Sequence, residues 1–275
     1  ALYGHFFQQI TDGQMQYLCA GFERFAIENG KVQELSETLV DNDDLRLVRK
    51  GIQLASSNFE DWGESIVQEM LDSDDDRAKI AYTLSVARLA REASRLNNDE
   101  VLKTFVTEFY ASSSSHRQIW VLETLKVEKT SSQWKKDLLS EMCTTSKVQE
   151  IRERGYKALN ALESNEPWVV ALFKQGLQSR HSEVAELCFQ GLLLVNRLLG
   201  PAEEKAFLAK VSRNHEDEDR QGQAIAAALT TTASWRVEFI VQALDDEDSV
   251  IRGLMCQKLR SVSGLDDQFF QDLKG

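Results

Sequence analysis

WRVEFIVQALDDEDSVIRGLMCQKL, residues 235–259, repeats a phrase that the chain has already used twice. Residues 62–84 read WGESIVQEMLDSDDDRAKIAYTL, and residues 168–192 read WVVALFKQGLQSRHSEVAELCFQGL. Each begins with a Trp and places a Leu nine positions later (Leu71, Leu177, Leu244). Each then crosses a short polar stretch into a second apolar segment. The apolar residues recur at helical steps, as in Trp62, Ile66, Met70 and Leu71, then Ile80, Leu84, Ala87 and Leu89. Trp235, Phe239, Ala243 and Leu244 follow the first pattern; Val184, Leu187, Phe189, Leu192 and Leu194 follow the second. The Asp, Ser and Asn residues between them accept hydrogen bonds from the free N–H groups of a helix start, and their charge suits the positive end of its dipole. The phrase therefore encodes helix, turn, helix.

Weaker copies fill the rest of the chain. Leu39 and Val40 lead into the acidic turn 41–44. Segments 101–111 and 116–127 flank the serines 112–115; 134–143 and 148–162 flank Thr144, Thr145 and Ser146; 202–211 and 220–229 flank NHEDED at 214–219. A basic residue opens most second segments: Arg46, Arg77, Arg117, Arg152, Arg220 and Arg252. Their spacing gives a period of about 34 residues, in the range of stacked helical pairs. The chain is predicted to be all-α, with about seven helical pairs over 31–262. An N-terminal helical cap is expected within 1–30 and a C-terminal capping helix within 263–275, the whole forming a single elongated α-solenoid over 1–275. Only two prolines, Pro167 and Pro201, interrupt it, both near expected helix starts where proline is tolerated.

The turn Leu71-Asp72-Ser73-Asp74 with Arg77, and Leu244-Asp245 with Val250, Ile251 and Arg252, resemble HEAT repeats. The resemblance covers 31–262. The usual proline of the first HEAT helix is missing, which leaves the subclass open, and the Gly, Tyr and late Pro of a tetratricopeptide repeat are missing as well. The resemblance implies a right-handed superhelix, in the HEAT/armadillo manner, whose second helices line a concave surface that binds other macromolecules.

Composition narrows the function. The chain has 275 residues, 42% hydrophobic and 28% charged, too apolar for disorder. Its net charge of −12 disfavours anionic membranes and nucleic acid. No segment approaches a membrane span, and the start ALYGHFFQQI does not read as a signal peptide. Cys19, Cys143, Cys188 and Cys256 are far apart in apolar surroundings and read as reduced core residues, so a cytoplasmic location is expected.

Catalytic patterns are weak. Asp72, Asp74 and Asp76 match the first ligands of a calcium loop, but Arg77 stands where Gly is needed and Thr83 where Glu is needed. His5, His116, His181 and His215 form no ligand pair, and the serines 112–115 read as a turn. No catalytic residue, metal or cofactor is expected. Trp62, Trp134, Trp168 and Trp235 start first segments and are expected to pack between pairs.

Charge is the remaining signal. The predicted second helices hold 19 Lys and Arg against 14 Asp and Glu, a net +5, while the remainder carries −17. The expectation is a monomeric, non-enzymatic scaffold. It binds a protein or peptide, one with acidic segments, along a basic ridge of Arg46, Arg49, Arg77, Arg88, Arg117, Arg152, Arg154 and Arg252, with Trp120 beside it; the competing readings are that these cations pair with turn acids between repeats and that Trp120 packs in the core. Charges so placed speed association more than they tighten it. The first alternative is an enzyme similar to the HEAT-like DNA-alkylation glycosylases, using Trp120, Arg117, Arg152 and Asp76. The second is a regulatory segment of a larger protein, suggested by a chain that begins at Ala1.

Overall fold

The computed structural model describes residues 12–128, 130–214 and 218–261. The expected C-terminal capping helix, the first part of the N-terminal cap, and His5 and His215 lie outside them. Among the described residues the protein is all-helical, and it divides into two compact units, 1–126 and 127–275.

In the first unit, α1 (Asp12–Glu28) precedes three helical hairpins. These are α2 (Val32–Val40) with α3 (Leu45–Ser57), α4 (Glu64–Asp72) with α5 (Asp76–Leu96), and α6 (Glu100–Ser112) with α7 (Ser115–Thr124). The sequence caps are in place. The Asp44 side chain accepts from the Arg46 N–H and the Asp75 side chain from the Arg77 N–H, each at 2.9 Å. The two members of each hairpin bury their apolar stripes against each other, and α5 packs on both α3 and α7. Leu35, Leu39, Leu47 and Leu54 form one core cluster with Ala26. Tyr82 stacks on Phe109 with ring centroids 4.2 Å apart, and Phe109 stacks on Trp120 at 6.5 Å.

One join departs from the helical expectation. Trp62 does not start an α-helix; it lies in a π-helical turn, Phe59–Gly63, that links α3 to α4. The turn exists because Gly63 sits directly on the end of α3, where a side chain has no room.

The second unit contains α8 (Gln133–Thr144), α9 (Gln149–Ala161), α10 (Pro167–Gly176), α11 (Ser182–Leu199), α12 (Pro201–Ser212), α13 (Glu218–Thr230), α14 (Arg236–Leu244) and α15 (Ser249–Ser261). Consecutive helices again pack as hairpins, α9 also packs on α11, and α13 on α15. Phe189, Leu193, Leu208, Ile225, Leu229, Trp235, Phe239, Ile240 and Met255 share one core. Pro167 and Pro201 both occupy the first turn of a helix, where their missing N–H costs nothing. Between α11 and α12 the only residue is Gly200, with φ +144°, a conformation that side-chain-bearing residues rarely adopt. It lets α12 turn back across α11 without a loop.

Candidate partner-binding surface

The arginines that open second helices are held chiefly by the backbone of helix-connecting turns. Arg77 donates to the Asn42 carbonyl at 3.3 Å, in the turn of the preceding hairpin. Arg117 does the same one hairpin later: it donates to the Leu71 carbonyl at 3.1 Å, to the Ser73 carbonyl, and to Asp74 at 3.3 Å. Its guanidinium also lies 5.8 Å from the Trp120 ring centroid. Arg152 donates to the Ser146 carbonyl of its own turn, and Arg252 to the Asp246 and Glu247 carbonyls at 2.6 and 2.9 Å. The physical cause is common to all four. These carbonyls lie at or just beyond a helix end, where no intrahelical N–H reaches them, and a guanidinium offers several donors in one plane.

The ridge therefore splits. Arg77, Arg117 and Arg152 are half-buried, and part of their donor capacity is already used. Arg88 is also half-buried, with its guanidinium 4.0 Å from the Phe59 ring centroid and 3.5 Å from Glu92. Arg154 pairs with Glu150 at 2.8 Å and Arg46 with Asp44 at 2.6 Å. Arg46, Arg49 and Arg252 are exposed. Trp120, for which the sequence favours a core position over the concave face, is only 5% exposed, so the ring packs in the core and offers no face to a partner or to a flipped base. Asp76, Arg117 and Trp120 lie in the first unit and Arg152 in the second. Arg152 lines a recess of ≈ 300 Å³ together with Arg180 and His181, at the starts of α9 and α11.

Arg117→Ala is expected to destabilise the protein by about 1.5–3 kcal/mol, because it strips two turn carbonyls of a charged donor. Arg117→Lys should restore little of this, since one ammonium cannot reproduce the planar fork. Urea titrations of the two variants check it.

The acidic turn 72–76 is occupied by local bonds. Asp72 accepts from Gln68, Asp74 from Arg117, and Asp75 caps α5. Among the described residues no group of three or more His, Cys, Asp or Glu could hold a metal ion. None of their helices is long and apolar enough to cross a membrane.

Among the described side chains the thiols are of two kinds. Burial pushes the Cys143 thiol far up and that of Cys188 up to about 12. Cys188 lies against Gly176, which leaves just enough space for the sulfur and the Tyr156 ring. Cys256 is exposed. At neutral pH an aromatic disulfide reagent should label Cys256 in the native protein, and Cys143 and Cys188 only after denaturant is added. Peptide mapping of the adduct decides it.

Trp168 also joins two hairpins of the second unit. Lys136 donates to Glu166 at 2.9 Å, the Trp168 indole N–H donates to the same oxygen at 2.8 Å, and the ammonium lies 5.6 Å from the Trp168 ring centroid. These bonds, led by that from Lys136, hold the Glu166 carboxyl below its ordinary value. A lowered folded-state value stabilises above the unfolded-state pKa, and the contribution is lost as pH falls through the folded one. Lys136→Met should therefore be destabilising at about pH 7 and near neutral at about pH 2.5, when measured by urea melts.

No family model matches the sequence, and no curated protein matches it. Among solved structures, one engineered protein aligns over 90% of this chain and 69% of its own, at 16% identity and a TM-score of 0.36. A second engineered protein aligns over 88% of this chain and 96% of its own, at 15% identity and a TM-score of 0.34. Likeness at this level carries no argument about function.

Proposed function

We propose that the chain is a HEAT-like α-solenoid of seven hairpins, α2/α3 to α14/α15, acting as a non-enzymatic scaffold for a protein or peptide with acidic segments. A right-handed superhelix with a concave second-helix face, a monomeric state and a cytoplasmic location belong to the same reading. The observation that carries it is the packing of second helices on one another within each unit: α3 on α5 on α7, and α9 on α11. This packing recurs at the repeat spacing within each unit, so the cations at helix starts follow one another along α3, α5 and α7 in the first unit and along α9 and α11 in the second. Arg46, Arg49 and Arg252 are the exposed members of the ridge, Arg154 is half-buried and paired with Glu150, and Arg152 lines a recess with Arg180 and His181. Extended surfaces built from such repeats suit macromolecular partners.

The test uses Arg49→Glu/Arg154→Glu, which leaves the turn-holding arginines intact. The immobilised protein is presented to lysate of its source organism, with and without nuclease. A protein retained by the wild type, resistant to nuclease and lost by the double variant supports the reading. Equal retention by both removes the second-helix row as the binding site. Capture of nucleic acid alone defeats the scaffold reading.

A further inference from the structure

One cavity of the second unit is lined by none of the arginines of the row. It is a half-open groove of ≈ 920 Å³ formed by α10, α11 and α12. Helix α10 packs on α8 and α11, and α12 packs on α11 and α13, so α10 and α12 stand as two walls over an α11 floor. The Gly200 join decides this, because it starts α12 at the very end of α11.

The lining has a definite chemistry. Val170, Leu177, Leu192, Val195, Phe207 and Val211 make an apolar trough, and Leu199, 53% exposed, extends it at one end. The polar lining residues are Asn165, Gln178, Asn196 and Asn214, with Lys174 on one wall and Lys210 on the other. Both lysines are exposed. Neither has an ion-pair partner among the described residues, whereas Lys136 and Lys205 of the same unit pair with Glu166 and Glu238. Among the described residues no Asp or Glu lines the groove, although the chain holds 44 of them. Glu216 and Asp217 follow Asn214 in the chain, outside the described residues. An apolar trough with a free cation on each wall and no carboxylate in its lining is complementary to a helix with an apolar stripe and acidic flanks. At 1.5 Å per residue, the walls of 10 and 12 residues are roughly 15 and 18 Å long, enough for about three turns of a partner helix.

From this geometry we infer that the α10–α12 groove is a second docking site, taking a short acidic amphipathic helix of a partner protein. It is distinct from the arginine row, although Gln178 lines both this groove and the recess beside Arg152: its partner would lie across first helices, with anchors at i, i+4 and i+7 in the trough and carboxylates on Lys174 and Lys210.

The test is fluorescence anisotropy with the full chain. The probe is a labelled peptide of about 14 residues with Leu at i, i+4, i+7 and i+11 and Glu at most other positions. A scrambled peptide of equal composition and a peptide with Lys for Glu are the comparisons. Saturable binding of the first peptide is expected, at least about tenfold tighter than the scrambled one. Lys174→Glu/Lys210→Glu should weaken it by about tenfold or more and improve binding of the Lys peptide. Leu199→Glu should weaken both. All three substituted side chains are exposed, and unchanged thermal midpoints confirm intact folding. Arg49→Glu/Arg154→Glu should bind the probe like wild type, which separates failure of this site from failure of the arginine row. Equal binding of the scrambled peptide, or indifference to the lysine reversals, overturns the proposal. So does concentration-dependent dimerisation in sedimentation that Leu199→Glu abolishes, which would make a second copy the occupant.

Discussion

Gly63→Ala is expected to lower the thermal midpoint by roughly 6–12 °C, equivalent to about 3 kcal/mol. A Cβ placed on Gly63 falls 1.8 Å from the Ala55 carbonyl oxygen, 2.7 Å from its carbon and 2.9 Å from the Asn58 oxygen. All three are backbone atoms, so no side-chain rotation relieves the clash. The backbone at Gly63 has φ −71°, which any residue adopts; the constraint is space. Alanine must therefore undo the last turn of α3 or the π-helical turn, which closes through the Gly63 N–H to the Asn58 carbonyl at 3.0 Å. Either route moves Phe59 from beneath Arg88. Gly253→Ala is the control. It is a helical glycine with nothing within 4 Å of an added Cβ, and it should be stabilised by about 0.5–1 kcal/mol through helix propensity. Calorimetry of the two variants is the measurement. A loss of under about 1 kcal/mol at Gly63 would mean that the turn rearranges freely.

Phe189→Ala is expected to cost about 3–5 kcal/mol, the upper range for large-to-small core substitution. Phe189 is fully buried in the main core of the second unit, with the Phe207 ring centroid 5.9 Å away. Leu193, Leu208 and Ile225 of three different helices share that core, so the space left by the ring cannot close by moving one element. Phe189→Leu should cost less than about 1.5 kcal/mol, since most of the volume is kept. Urea unfolding followed by the fluorescence of Trp235, in the same core, reports the loss directly. Because Phe207 also lines the α10–α12 groove, Phe189→Ala should weaken peptide binding there as well, while leaving the first unit's Arg117-dependent stability unchanged.

The helices and their turns were legible because they depend on local chemistry. Period, polar turn and following arginine sit within a few residues of one another, and Asp44, Asp75 and the two prolines do at helix ends what those residue types do anywhere. The arginines were legible as a recurring feature, but their work was not. Arg77 and Arg117 bond carbonyls 35 and 44 to 46 residues earlier in the chain, in turns that the fold brings alongside. A pattern of cations reads the same whether it faces a partner or a neighbouring helix end. Trp120 stood between two readings, core and concave face, and the favoured core position holds: its ring is enclosed by Phe109 and its own helix. Lys174 and Lys210 gave only a faint signal, two lysines in apolar helices otherwise unremarked, 36 positions apart.

By itself the sequence determined that the described residues are all-helical, where their helices begin and end to within a few residues, and which stripe of each is buried. Those follow from hydrogen-bond capping and from the 3.6-residue period, both of which act within one or two turns. Tertiary structure alone decided which cations are consumed by turn carbonyls, why Gly63 and Gly200 must be glycine, and where a groove opens. These depend on the distance between atoms remote in sequence, and a substitution of one helix direction at Gly200 would change them without altering any local pattern.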